Sequence, residues 1–210
     1  MLSIHLSRTG LDQFNAVNNV SGAFGIFRAD FLRKIGGWDS GTAEDLDLTL
    51  RIKKYFGRYP NLRIRFEPRA VGHTDAPETL PQFLNQRLRW DGDLYYLYVR
   101  KHWQGFRPDL MGWPNFLALV WSGLCLQLIL PFMVIIYMTY MLFAYPFSYV
   151  LGVMGFVYLF YLLLTLVMYI EYWWLLSERR RYDLSFAWVI LLFPGFPFAT
   201  GVWCGVATLT

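Results

Sequence analysis

The chain has 210 residues, of which 56% are hydrophobic, 20% are aromatic and only 16% are charged, with a formal net charge of +4. Its charges are segregated: no acidic or basic residue occurs between Asp109 and Glu171, and such long uncharged runs are typical of membrane spans. The composition excludes an ordinary soluble protein, and nothing in it resembles a nucleic-acid-binding module. The basic residues beside the apolar runs favour anionic lipid headgroups or phosphorylated molecules as partners.

The first 78 residues predict a partial cytoplasmic domain of mixed α/β structure. Val20–Arg28 contains small and apolar residues and predicts a buried strand, and Arg63–Phe66 alternates as a second, short strand. Between them, Ala29–Ile35 predicts a short helix ended by two glycines, and a second helix is expected from Thr42 to about Phe56. Two strands are too few for a self-sufficient α/β domain.

The stretch from Thr79 to Trp103 predicts one helix that joins the polar half of the chain to the apolar half. Thr79 and Gln82 have the spacing of a capping box, and Pro81 falls in the first turn, where a missing N–H does no harm. Aromatic and basic residues at its end indicate that the helix reaches the membrane interface. Residues 79–110 are therefore predicted as an interfacial region.

Within this helix, Gln86, Arg89 and Trp90 fall at i, i+3 and i+4 and therefore project from one face. An arginine donates paired hydrogen bonds to phosphate oxygens, and a large aromatic ring stacks on the apolar face of a sugar. This face of the helix therefore fits a sugar-phosphate ligand. The alternative is an amphipathic surface helix whose tryptophan lies at the lipid interface. The spacing alone leaves both interpretations open.

Residues 111–210 predict a membrane region with about three spans, placed near 114–144, 149–176 and 184–209. Pro131 should kink the first span, and both cysteines, Cys125 and Cys204, lie inside spans as packing residues. The loop before the third span carries three consecutive arginines, Arg179–Arg181. By the positive-inside rule that loop is cytoplasmic, which places the polar half in the cytoplasm as well.

A second group of polar residues, Thr42 to Asp47, opens the second predicted helix. One interpretation is local: Thr42 caps the helix, and the helix dipole favours acidic side chains in the first turn. The other is chemical, because a carboxylate fixed at a helix N-terminus can accept a proton from an incoming hydroxyl. Asp45, with Glu44 beside it, is the candidate catalytic residue, and the two interpretations are compatible.

Together these segments resemble a known family. The order SGAFGIFR, IGGWD, AEDLDLTLR and APETLPQFLNQRLRW, followed by spans, resembles the C-terminal half of membrane-embedded family-2 glycosyltransferases, the group of cellulose, hyaluronan, chitin and poly-N-acetylglucosamine synthases. The Gln-x-x-Arg-Trp hallmark is complete at Gln86–Trp90. The Thr-Glu-Asp hallmark is present as Ala43-Glu44-Asp45, with alanine in the threonine position.

The resemblance implies the C-terminal part of a GT-A-type domain and inverting transfer of a sugar from a nucleotide sugar, expected to be a UDP-sugar, to a glycan or lipid acceptor. In that scheme Asp45 is the general base. Gln86 and Arg89 contact the donor diphosphate, and Trp90 contacts the acceptor sugar. The scheme also implies Mg²⁺ or Mn²⁺ at the leaving diphosphate. The location implied is the plasma or inner membrane.

In the family the uridine-binding acids and the Asp-x-Asp metal ligands lie upstream of the small-residue segment. We therefore expect the metal ligands outside this chain and an incomplete catalyst unless a longer product or a second chain supplies that half. Neither local string, Asp45-Leu46-Asp47 nor Asp91-Gly92-Asp93, is expected to hold the donor metal. Two other interpretations stay open: a non-processive enzyme that glycosylates a lipid, and a non-catalytic membrane subunit or remnant.

Overall fold

A computed structural model describes residues 2–39, 41–70, 72 and 75–195 of the chain. The described chain is a series of helices joined by turns and irregular segments. Nine of its elements are α-helical, in the order α1 Leu2–Gln13, α2 Ala29–Lys34, α3 Glu44–Lys53, α4 Leu80–Tyr95, α5 Pro108–Met111, α6 Trp113–Ala118, α7 Leu130–Ala144, α8 Phe147–Leu175 and α9 Arg180–Ser185.

Neither predicted strand forms within the described residues. The segment predicted as the first strand contains a 3₁₀ turn, Gly22–Phe24, flanked by extended backbone. In the second segment, Ile64 N–H donates to Asn15 Oδ1 at 3.0 Å and Phe66 N–H donates to Asp12 Oδ1 at 3.2 Å. Side chains near the end of α1 thus take the hydrogen bonds that a neighbouring strand would take. The mixed α/β class stays a prediction.

Helix α3 is the structural centre of the polar half. Two glycines with left-handed backbone, Gly36 at φ 86° and Gly37 at φ 63°, lead out of α2, as the sequence predicted. Two apolar clusters then cover α3. One is formed by Val17, Leu48, Ile52, Phe56 and Ile64, and the other by Leu50, Leu97, Tyr98, Met111 and Leu119. The helix is therefore held between the preceding loop and the start of the apolar helices.

Helix α4 begins with the predicted capping box. Gln82 N–H donates to the Thr79 hydroxyl at 3.4 Å, and Thr79 N–H donates to Gln82 Oε1 at 3.3 Å, with a proline in the first turn. The α-helix ends at Tyr95 and continues as a π-helical segment, Tyr96–Lys101. The helical run therefore ends at Lys101, two residues before the predicted end, and its last part widens where Leu97 and Tyr98 enter the core.

Two continuous helices are long and apolar enough to cross a bilayer. The first spans Trp113–Ala144, 32 residues, and the second spans Phe147–Leu175, 29 residues, each within two residues of its predicted start. Pro131 lies in the first turn of α7, directly after a π-helical segment, Leu119–Ile129. Proline has no N–H to donate within the helix, and a local change of helix geometry thus accommodates the lost hydrogen bond. Few of their side chains are buried, as expected of surfaces that face lipid.

The third predicted span, near 184–209, lies partly outside the described residues, as does Cys204. Its described beginning is not a continuous α-helix, because α9 ends at Ser185 and a 3₁₀ segment, Ala187–Leu191, follows. Hydrogen bonds hold this part against α8: the Tyr158 hydroxyl donates to Leu191 O and the Tyr169 hydroxyl donates to Asp183 O, each at 2.7 Å. The division into regions 1–78, 79–110 and 111–210 stays a prediction.

Candidate functional site

The N-terminus of α3 is built differently from the predicted capped helix. Its N-cap residue is Ala43, in left-handed backbone at φ 43° and ψ 42°, and the alanine side chain makes no capping hydrogen bond. The N-cap therefore lies one residue after Thr42, the residue predicted for that position. The left-handed alanine is a costly conformation outside glycine, which marks this turn as one that tertiary packing imposes. It places Glu44 and Asp45 in the first turn, where the helix dipole favours negative charge.

The Asp45 carboxylate is half-buried and held by three N–H groups. Its Oδ2 accepts from Asn19 Nδ2 at 3.1 Å and from the backbone N–H of Gly22 at 3.2 Å. Its Oδ1 accepts from Leu46 N–H at 2.8 Å. A Cβ on Gly22 would lie 3.2 Å from the Asp45 Cβ, so a side chain there would crowd the carboxylate. The small residue thus allows the loop to approach the acid closely.

A threonine one turn further along α3 holds this loop in place. The Thr49 hydroxyl lies 2.7 Å from Asp45 O and 3.2 Å from Asn19 Oδ1, and it accepts from Val20 N–H at 3.0 Å. The side chain of Thr49 is fully buried. Sequence reasoning missed Asn19 and Thr49, and the only available signal was the polar pair before the small-residue segment. Glu44, the second candidate acid, is exposed and projects away from the buried face of α3.

On α4, Gln86 is half-buried, whereas Arg89 and Trp90 are exposed. Trp90 retains 46% of its surface. The guanidinium of Arg87 lies 4.2 Å from the Trp90 ring centroid and 5.5 Å from the Phe83 centroid, so it contacts both rings. Sequence reasoning missed Arg87, although its i, i+3 spacing to Trp90 carried the signal. The predicted face is thus present and open, with its tryptophan steadied by a neighbouring cation.

The two groups of candidate residues are linked through apolar packing. Leu46, next to Asp45, and Leu94, four residues after Trp90, pack against the same cluster around Leu50 and Leu97. Among the described residues, no hydrogen bond or ion pair joins Asp45 to the Gln86, Arg89 and Trp90 face. The structure therefore links the two helices through a shared apolar cluster, without a hydrogen bond or ion pair between these candidate polar groups.

A network of charged residues surrounds Asp47, which is fully buried. Asp47 Oδ2 accepts from Arg51 Nε at 3.0 Å, and Oδ1 lies 2.9 Å from Lys101 Nζ and 2.7 Å from His102 Nε2. His102 Nδ1 lies 2.7 Å from Lys54 Nζ. Because an ammonium group only donates, Nδ1 must accept, so Nε2 carries the proton and donates to Asp47. The neutral His102 therefore ties α3 to the segment that follows α4.

The pKa directions agree with this arrangement. Burial acts to raise the pKa of Asp47, but hydrogen bonds from Lys101 and His102 outweigh it, and the pKa lies below its usual value. Burial lowers the pKa of His102, and its bond to Asp47 only partly offsets this, while Lys54 and Lys101 lower it further. The charged aspartate and the neutral histidine are thus both favoured at neutral pH.

A divalent cation does not fit the Asp45-Leu46-Asp47 string. Both Asp47 oxygens are taken by Arg51, Lys101 and His102, and Asp45 is directed at the N–H groups of the preceding loop. Positive charge already surrounds Asp47, the only fully buried carboxylate in the part of the chain that the structure describes, and this charge repels a metal cation. In the described ranges, no group of three His, Cys, Asp or Glu side chains is gathered as a metal-ligand set. No chemical step is therefore assigned to a metal here.

The structure thus combines a carboxylate held by N–H groups, an exposed face of polar and aromatic side chains on α4, and two helices long and apolar enough to cross a bilayer. The chain belongs to the family described as Glycosyl transferase family group 2, whose sequence model matches residues 10–203. This match agrees with the resemblance found in the motifs.

Two curated relatives are poly-beta-1,6-N-acetyl-D-glucosamine synthases. The one from Staphylococcus epidermidis is 29% identical over 89 residues, which is 42% of this chain and 20% of that relative. The one from Staphylococcus aureus strain COL is 35% identical over 75 residues, 36% of this chain and 17% of that relative. The match thus spans about a fifth of the length of these curated relatives. No solved structure matches the chain.

Proposed function

We propose that this chain carries the acceptor-activating part of an inverting glycosyltransferase, which adds sugar from a UDP-sugar to a growing polysaccharide at the cytoplasmic face of the inner membrane. The observation that carries the proposal is the Asp45 carboxylate, held by three N–H groups at the start of α3. The family match and the names of the two relatives support the class of reaction. The two apolar helices support the location.

Asp45 is suited to act as the general base. An ionised carboxylate offers about four lone-pair positions, and the three N–H groups leave one for the hydroxyl of the acceptor sugar. In the proposed step the acceptor oxygen attacks the anomeric carbon, its proton passes to Asp45, and the bond to the leaving diphosphate breaks with inversion. A base fixed before substrate arrives avoids the entropic cost of ordering it during the reaction.

The face on α4 is proposed to bind the donor diphosphate and the acceptor sugar. The Arg89 guanidinium and the Gln86 amide would donate hydrogen bonds to diphosphate oxygens, and Trp90 would stack on the acceptor sugar. The exposure of Arg89 and Trp90 supports this role, because both side chains are open to a ligand. A Mg²⁺ or Mn²⁺ ion at the diphosphate is also proposed, with its ligands supplied from outside residues 1–210.

The test is Asp45→Asn in the full-length protein, assayed in membranes with UDP-N-acetylglucosamine as donor and UDP-glucose as the comparison donor. Removing a general base should lower the rate of transfer about 10²- to 10⁴-fold. The control is Asp30→Asn, the same change in the first turn of α2, where the acid is exposed. This control should leave the rate unchanged.

Transfer at the control rate by Asp45→Asn would overturn the role of Asp45 as base. The size of the product separates the proposal from its rival. A long polymer supports polysaccharide synthesis, whereas a single sugar on a lipid supports the non-processive alternative. Unchanged polysaccharide in cells that carry either Asp45→Asn or Trp90→Ala would favour the non-catalytic interpretation.

A further inference from the structure

A cavity of about 250 Å³ lies beside the C-terminal half of α3, outside the proposed transfer site. It is smaller than the roughly 300–1,000 Å³ typical of pockets for drug-sized ligands, so it suits a small group. Three of its lining side chains are cationic and one carries a phenol, and no acidic side chain of the described residues is among them. The lining comprises Ile35, Arg51, Lys54, Tyr55, Arg58 and Leu110.

The charged groups around this pocket share one buried carboxylate. Asp47 forms an ion pair with Arg51, and it also contacts Lys101 and His102. Lys54 contacts the neutral His102, which adds no negative charge. Burial lowers the pKa of Lys54, Asp47 acts to raise it, and Lys101 and Arg51 act to lower it, so all three of these charged groups act on the Lys54 ammonium. An anion in the pocket would add a second negative charge beside these cations, which Coulomb attraction favours.

Donors remain available after these contacts. Arg51 uses Nε on Asp47 and two further N–H groups on the carbonyl oxygens of Ile35 and Gly37, which leaves two of its five N–H groups. Lys54 uses one of its three donors on His102. Arg58, the third cation of the lining, is exposed. Guanidinium and ammonium groups around a small cavity form the donor set that recognises phosphate oxygens.

The pocket also lies at the level where the first apolar helix begins. Gly57 N–H donates to Leu110 O at 2.8 Å, which fixes this wall of the pocket two residues before Gly112. The helix that is long enough to span a bilayer starts directly afterwards, at Trp113, whose side chain is 63% exposed. Exposed tryptophans at the start of a span are typical of the headgroup region. The cationic lining suits a phosphate group, and the position of the pocket beside the start of this helix suits the headgroup of a lipid.

We propose that this pocket binds the phosphate group of an anionic membrane lipid. The phosphodiester would occupy the space between Arg51, Lys54 and Arg58, with the Tyr55 hydroxyl as an additional donor, while the acyl chains follow the surface of the first apolar helix. The site is separate from the proposed base and from the α4 face. It rests on the membrane location and is independent of glycosyl transfer, so either proposal can fail without the other.

The experiment uses the purified full-length protein in a non-ionic detergent and measures its thermal unfolding as short-chain lipids are added. Dihexanoyl phosphatidylglycerol should raise the unfolding temperature in a saturable way, and dihexanoyl phosphatidylcholine should not. Arg58→Gln should raise the concentration needed for half of this shift about tenfold, because one charge-assisted contact to phosphate is lost. Arg63→Gln, an exposed arginine outside the pocket, is the matched control.

Lys54→Gln supplies a second test, because it removes a less exposed cation of the same lining. It should weaken the phosphatidylglycerol effect at least as much as Arg58→Gln does. Equal titrations for Arg58→Gln, Lys54→Gln and Arg63→Gln would overturn the site. An equal shift with inorganic phosphate at the same concentration would overturn the lipid as the ligand and assign the pocket to a free phosphate group.

Discussion

Helices α3 and α4 carry the two halves of the proposed site, and they are stabilised in opposite ways. Six of the ten residues of α3 are buried, and its polar side chains bind loops and segments far away in the chain. None of the sixteen residues of α4 is buried, although Leu94 packs partly against the core, and the capping box and the contact of Arg87 with Trp90 support the rest of the helix. Helix α3 is held by contacts with the rest of the chain, and α4 presents an open face.

This contrast fits a division of labour in the proposed reaction. A base acts best when its position is set before the substrate arrives, which requires hydrogen-bond partners from the same chain. A binding face must stay accessible, so its side chains find their partners on the ligand. Changes on α3 should therefore affect stability and catalysis together, whereas changes on the α4 face should affect ligand binding with little loss of stability.

The largest expected effect on stability is at Asp47. Asp47→Asn removes the charge that compensates Arg51 and Lys101 and should lower the free energy of unfolding by about 3–5 kcal/mol. Asp30→Asn on the exposed first turn of α2 should change it by less than about 0.5 kcal/mol. Thermal or denaturant unfolding of the purified full-length protein measures both, and equal effects of the two variants would contradict the assignment.

The Asp47 contribution should also depend on pH. Its pKa in the folded protein lies below the ordinary 3.8, so the stabilisation is complete above about pH 4. It is lost as the pH falls through the folded pKa. Asp47→Asn should lack this acid-dependent loss. His102 adds a second change in the same direction, because its pKa is lowered from 6.5 and its protonation opposes folding as the pH falls below that value.

The next prediction tests whether every buried polar group on α3 stabilises the folded protein. Lys53 is fully buried, its Nζ has no hydrogen-bond partner within the described chain, and burial lowers its pKa to about 7. Lys53→Met keeps the apolar stem and removes the amine, which should stabilise the protein by about 1–4 kcal/mol at pH 6. Lys34→Met at the exposed end of α2 is the control.

The sign of the pH dependence follows from the direction of the Lys53 shift. Between about pH 7 and 10.5 the unfolded chain holds a proton on Lys53 that the folded protein does not, so stability rises with pH across that window. The gain from Lys53→Met should therefore be largest below pH 7 and shrink towards pH 10. Unfolding measured at pH 6, 8 and 9.5 checks this, and a gain that does not vary with pH would contradict it.

On α4, Trp90→Ala should leave the unfolding temperature nearly unchanged, because the ring retains 46% of its surface. The loss of a stacking surface should instead raise the KM for the acceptor about tenfold. Trp103→Ala, at a tryptophan that is 60% exposed and lies outside this face, should not change the KM. A loss of stability comparable with that of Asp47→Asn would erase the contrast between the two helices.

The smallest effect concerns the end of α4. Thr79→Ala removes the side-chain oxygen that accepts the Gln82 N–H and should destabilise the first turn by about 1 kcal/mol. Because α4 buries none of its residues, this loss should remain local and speed amide exchange about fivefold in the first turns alone. Hydrogen exchange resolved by peptide measures it, and a fall in global stability instead would show that α4 is fixed by the core.

Part of the candidate site follows from local sequence. Asp45 could be singled out because it lies in the first turn of a helix, and Gln86, Arg89 and Trp90 because their spacing gives them one face. Their partners could not be predicted, because Asn19 and Gly22 lie more than twenty residues from Asp45. Such contacts depend on how segments pack, and no pattern of nearby residues contains that information.

The sequence alone determined the features that arise from neighbouring residues. These are the capping box at Thr79, the glycines after α2 and the two bilayer-length helices, since each depends on local backbone preferences or on the hydrophobicity of a continuous run. Tertiary structure decided the left-handed Ala43, the absence of strands in the described ranges and the pairing of Asp47 with His102. These depend on groups far apart in the chain, whose burial and hydrogen bonding are settled only when the helices pack.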